Sequence, residues 1–169
     1  MSMRLSAFSW WLLAVTGLAD PSSSRDGGFT PSPLAGTWAL VAAERWLPDG
    51  GTVDDYGTAP TGRLIVDARG RYALQIYRSD RPRFASADKA KGTPSEYRDA
   101  VMGESAHFGA VEVDAPTHTL VFHLDGASFP NWEGTIQKRQ YTLKDGELRY
   151  RVPPRPDGSV PISVWRRID

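Results

Sequence analysis

Leu120-Val121-Phe122-His123-Leu124-Asp125-Gly126-Ala127-Ser128-Phe129-Pro130-Asn131-Trp132-Glu133-Gly134-Thr135-Ile136-Gln137-Lys138-Arg139 is the stretch on which the reading of this chain turns. It opens with alternation. Leu120, Phe122 and Leu124 fall on one face of an extended chain, and Val121 and His123 on the other. The strand then runs into Phe129, Pro130, Asn131 and Trp132, a restricted backbone carrying two large aromatics that are costly to leave in an ordinary solvated turn. Such a loop either packs inward or touches a ligand. Beyond it Gln137, Arg139 and Tyr141 share one face, opposite Ile136, Lys138 and Gln140, so one face of the returning strand is polar whichever way it points.

Working outward, the same alternation predicts strands at 36–44, 63–66, 72–78, 105–113, 118–124, 134–143, 147–152 and 162–168. Asp67-Ala68-Arg69-Gly70 and Asp145-Gly146 are hairpin connections, because their residues tolerate the turn dihedrals. One helix is written between the third and fourth strands. Thr93 can cap it, Pro94 suits its first position, Glu96 completes a capping box and Gly103 stops it. A helix that short is not stable alone and must dock on the sheet, with Tyr97, Ala100 and Val101 as its apolar residues. Hairpin-length links make the strands antiparallel neighbours, and eight of them can close into a barrel whose interior is filled by side chains or by one small ligand.

The 169 residues, 40% of them hydrophobic, suit one domain with its own core. Twenty basic and twenty acidic residues cancel, and no basic run with interleaved aromatics tracks a phosphate backbone, so nucleic acid is not an expected partner. With no cysteine in the chain, disulfides and thiolate chemistry are excluded. The first residues read as targeting: a charged Met1-Ser2-Met3-Arg4, an apolar run and the small residues Gly17-Leu18-Ala19 predict a signal peptide over 1–19. The run is too short for stable membrane insertion. A Ser, Gly and Pro rich linker over 20–33 follows, with the domain at 34–169. Secretion or a periplasmic location is expected, and a cytoplasmic one stays open.

Leu34-Ala35-Gly36-Thr37-Trp38 resembles the Gly-x-Trp motif that opens lipocalins and other calycins, and Trp165-Arg166-Arg167 looks like its partner on the last strand. The resemblance sharpens with four stretches in order: Asp80-Arg81-Pro82-Arg83-Phe84-Ala85, Lys91-Gly92-Thr93-Pro94-Ser95-Glu96-Tyr97, Ala106-His107-Phe108-Gly109 and Phe129-Pro130-Asn131-Trp132-Glu133-Gly134. Together they resemble the lipocalin-like domain family over 34–168. The Thr-Asp-Tyr type turn of the second calycin motif has no counterpart. The resemblance implies an all-β, antiparallel, eight-stranded up-and-down barrel with one short helix. It also implies that Trp38 plugs one end beneath an arginine, Arg166 or Arg167.

The candidates for chemistry are Tyr72, His107, His123 and Arg139. A histidine facing the interior titrates near neutral pH, whereas one held in the wall is merely hydrogen-bonded. Arg139, if it points inward, can bind a carboxylate or an enolate oxygen; otherwise it pairs with Glu133 or Asp99. No ligand-spaced motif supports a metal site from His107, His123 and Glu112 or Glu133, and no nucleophile elbow surrounds Ser128. The candidate ligand-binding set is Phe129, Asn131, Trp132, Tyr97, Phe108 and Tyr141, with Trp132 offering apolar surface and Asn131 fixing its loop. Arg78, Asp80, Arg81 and Arg83 read as a charged rim. No cofactor or metal is called for, and the oligomeric state is open. Two functions follow: binding of a small apolar or amphipathic molecule in the barrel, or a cofactor-free cyclase or isomerase acting on a small hydrophobic substrate there.

Overall fold

The computed structural model describes residues 30–169. The expected signal peptide and the linker as far as residue 29 lie outside them. Residues 31–33 are tied to the barrel, since Ser32 N donates to the Ala68 carbonyl at 2.9 Å and the Pro33 carbonyl accepts from Arg167 Nη2 at 3.2 Å.

Nine strands follow in order: β1 (Gly36–Trp46), β2 (Thr52–Asp54), β3 (Thr61–Val66), β4 (Arg71–Tyr77), β5 (Glu104–Asp114), β6 (Thr119–Ala127), β7 (Ile136–Lys144), β8 (Glu147–Arg151) and β9 (Val160–Arg167). The single α-helix, α1 (Pro94–Met102), lies between β4 and β5. β1 pairs antiparallel with β3, each strand from β3 on pairs antiparallel with the next, and β9 returns to β1, so eight strands close on themselves. The ninth, β2, pairs only with Glu44, Arg45 and Trp46, on the edge of β1 that β3 leaves uncovered. All three β2 residues are exposed, so no hydrophobic alternation announced the strand.

The strands bury their alternate residues, as the period of two requires. Leu64 and Val66 on β3, Tyr72, Leu74 and Ile76 on β4, and Leu120, Phe122 and Leu124 on β6 are all within 5% exposure and form one core cluster. Trp38 closes one end: it is fully buried, its indole N–H donates to the Leu34 carbonyl at 2.9 Å, and the Arg167 guanidinium lies 4.3 Å from its ring centroid. Arg167 is held there by the Ala35 and Pro33 carbonyls, so the cation covers the plug while staying hydrogen-bonded. Arg166, the other candidate, points outward to Glu147 at 3.0 Å.

A bulge at Phe108/Gly109 shifts the β5–β6 register. Gly109 has φ +154°, and a Cβ there would collide with the His123 carbonyl, so only glycine fits. The helix begins on the expected capping box. Thr93 Oγ1 accepts from Glu96 N at 3.3 Å and Glu96 Oε2 accepts from Thr93 N at 2.7 Å. It buries no residue fully and packs on the outside of β5.

Candidate functional site

Strand register decides what the barrel interior contains. On the face between the two ends small side chains gather, with Ala43 of β1 paired to Ser163 of β9, and Ser105 of β5 beside the larger Ile76 of β4. Small groups on facing strands leave a void that larger ones would fill. The result is a cavity of about 370 Å³. Leu74, Ile76, Ile162, Val152, Pro161 and Trp132 supply its apolar wall. Arg139, His107, Gln137 and Tyr150 supply a polar floor, and Asp55, Tyr56 and Arg155 add further polar groups to the lining.

The floor is one connected unit. Arg139 comes from β7, where it pairs with Leu120, and its side chain is only 5% exposed. Its guanidinium carbon sits 4.3 Å from the Phe122 ring centroid and 5.1 Å from that of Tyr150. Its Nη2 donates to Gln137 Oε1 at 2.8 Å and to His107 Nε2 at 3.2 Å. Arginine can only donate, so His107 Nε2 is an acceptor and the proton of the neutral ring is on Nδ1, from which it bonds Tyr72 Oη at 2.8 Å. Burial first, and the Arg139 charge second, depress the His107 pKa from 6.5 to about 3, so the ring is neutral at physiological pH. Burial likewise pushes the Tyr72 hydroxyl well above the ordinary phenol range. Trp132 closes this floor from the side, its ring edge-on to His107 at 6.3 Å.

Across the cavity the β2–β3 and β8–β9 connections meet in an ion cluster. Asp55 accepts two hydrogen bonds from Arg155, at 3.0 and 2.7 Å, and lies 3.4 Å from Arg45 Nε. The Asp55 side chain is 7% exposed, so this bidentate pair fixes the connection over the cavity. Burial, with the neighbouring Asp55 charge, raises the pKa of the Tyr56 hydroxyl beside it.

Of the residues named from sequence, Tyr72, His107, Arg139 and Trp132 come together at the floor. His123 does not. It lies on the outer face of β6, 3.4 Å from Glu112, because Leu120, Phe122 and Leu124 take the inner face of that strand. Phe108 is also outside, 55% exposed and lying over Gly126. Tyr97 belongs to α1 on the outer wall, where its hydroxyl donates to the Lys89 carbonyl at 2.6 Å and its ring packs on Phe84. Tyr141 is half-buried against the core, 6.1 Å from the His118 ring and away from the cavity lining. Phe129 is half exposed and stacks edge-on to Trp132 at 5.5 Å, bordering the site through it.

Asn131 is exposed and does not fix the loop. Backbone and neighbouring groups do: Thr135 Oγ1 donates to the Trp132 carbonyl at 2.6 Å and Gly134 N to the Leu124 carbonyl at 2.8 Å. Arg139 pairs with neither Glu133 nor Asp99. Glu133 Oε1 instead accepts from Ala127 N at 3.3 Å. Arg78 and Asp80 form an exposed mutual pair on the rim. Sequence reasoning missed Tyr150, which the alternation of Leu148 and Tyr150 on β8 would have placed inward. It also missed Asp55 and Arg155, whose partnership across a hundred residues leaves no local signal.

Comparison with known proteins bears on the fold. The lipocalin-like domain model matches residues 35–168. No curated protein sequence matches the chain. A crystal structure of an asparagine-to-glutamine mutant of the fluorescent protein UnaG matches at 19% identity, over 79% of this chain and 95% of that one, with a TM-score of 0.36. That likeness is too slight to bear on ligand or fold. Among the described residues no helix is long and apolar enough to cross a membrane. With its closed eight-stranded barrel and a family match spanning nearly the whole of it, the chain belongs to the lipocalin-like domain family.

Proposed function

We propose that the barrel binds one small amphipathic molecule in its interior. The observation that carries this reading is the cavity of about 370 Å³ with an apolar wall and a polar floor. Ligand sites are commonly of about 300–1,000 Å³, largely apolar, with a few placed polar groups. The cyclase or isomerase reading has less support. Both nitrogens of His107 are committed, to Tyr72 and to Arg139, which leaves no free ring nitrogen for proton transfer to a substrate.

Ser163→Leu tests the reading by filling the void from the wall between Ala43 and Tyr150. Fluorescence titration with the neutral probe N-phenylnaphthylamine should show saturable binding to the wild type and loss of roughly tenfold or more in the variant, with the melting temperature held. Equal binding by both proteins would place the probe elsewhere.

The charged start and apolar run of 1–19 support export of the mature domain. N-terminal sequencing of protein recovered from outside the producing cell should begin after residue 19, and an intact Met1 there would refute it.

A further inference from the structure

We propose that the ligand of this cavity carries a carboxylate, bound head-first against Arg139. The inference rests on the binding reading above and names the chemical class that the floor selects. Arg139, 5% exposed as a residue, carries a full charge into a low-dielectric site, and such a charge is costly unless an anion or several hydrogen bonds compensate it. The partners of Arg139 do not supply an anion. Gln137 is neutral, and so is His107, whose acceptor nitrogen is already turned to the arginine. The aromatic faces of Phe122 and Tyr150 add attraction without charge.

Two donors at this floor are also unspent. Arg139 Nε and Tyr150 Oη are buried and have no hydrogen-bond partner among the described residues; Arg45 Nε, His123 Nε2 and Trp165 Nε1 share that state but belong to residues that do not line the cavity. Both side chains line the cavity. A carboxylate brings the missing charge and accepts several hydrogen bonds at once, whereas an alcohol brings only the bonds and an ammonium repels the cation. The polarity of the walls sets the orientation. Leu74, Ile76 and Ile162 line the rest of the cavity, so an alkyl or aromatic body extends from Arg139 along them.

The test uses the full chain and three probes of one length: decanoate, decanol and decylammonium, each displacing N-phenylnaphthylamine. On the wild type, decanoate should bind roughly tenfold or more tightly than decanol, and decylammonium most weakly, as a charge-assisted contact at a buried site requires. Arg139→Met keeps the volume and removes the charge. It should lose the preference for decanoate over decanol, the two then displacing the neutral probe equally whatever the variant's own affinity for that probe. Probe binding with decanoate and decanol equal on the wild type, or an Arg139→Met protein that keeps the preference, overturns the carboxylate while leaving the cavity reading intact. Absence of probe binding overturns both.

Should Arg139→Met fail to fold, the wild type alone decides. The ¹³C carboxyl resonance of labelled decanoate in the complex should stay at its ionised position roughly one pH unit or more below the point at which free decanoate protonates, because the neighbouring cation favours the charged form. A bound carboxyl that titrates at or above the free value overturns the proposal.

Discussion

His107 shows how one buried side chain couples the site to stability. In the folded protein its pKa is depressed to about 3, against 6.5 for an exposed histidine, because burial and Arg139 disfavour the charged ring. The unfolded chain therefore binds the extra proton first as pH falls. The stabilisation is complete above about pH 6.5 and is lost as the solution is acidified toward about pH 3, at about 1.4 kcal/mol per pH unit within that window. Denaturant midpoints taken from pH 7 to 5 should fall for the wild type and fall much less for His107→Gln, and parallel slopes for the two proteins would disprove the assignment. Trp38 is the matching case for packing. It is fully buried under Arg167, so Trp38→Ala should cost about 3–5 kcal/mol in urea unfolding, and a loss below about 1 kcal/mol would put the indole elsewhere. Trp38 was legible in the sequence because its Gly-x-Trp setting marks it. The two histidines were not, since deciding between them required the inner face of each strand. On β6 the bulk of Leu120, Phe122 and Leu124 held that answer, and it turns His123 outward.

Among the connections, the one between β6 and β7 and the one between β8 and β9 both border the cavity. The first bends through Pro130–Trp132 as a single 3₁₀ turn and sets Trp132 against His107. Because one side of that indole meets the void, it has fewer packing partners to lose than a core residue. Trp132→Ala should weaken N-phenylnaphthylamine binding more than it lowers the melting temperature, and a collapsed melting temperature with normal probe binding would make the loop purely structural. The second connection is anchored by Asp55, whose removal strands Arg155 and leaves Arg45 with Asp157 as its partner. Asp55→Asn should lower stability by about 1–3 kcal/mol and speed amide exchange at Gly158 and Ser159, while unchanged exchange would show the connection to be held by other contacts. The first of these connections stood out in sequence through its paired aromatics. The second did not, because its ion pair joins segments that only closure of the barrel brings together, and a run such as Pro153-Pro154-Arg155-Pro156 carries no sign of its partner.

For the molecule as a whole, closure does two things at once. It leaves no edge among the eight strands, and it isolates a charged floor from water between an indole plug at one end and the Asp55 and Arg155 cluster across the cavity. The eight strands were readable to within three residues at either end because alternation is a local property. The void was not, because it depends on small residues meeting across strands, as Ala43 and Ser163 do. Crystals grown with ω-bromodecanoate test this picture through the anomalous signal of bromine. The peak should lie inside the barrel near Val152, with density for the carboxylate at Arg139. A bromine peak in the outer groove beside Phe84, Tyr97 and Val101, with the interior empty of ligand density, would contradict it.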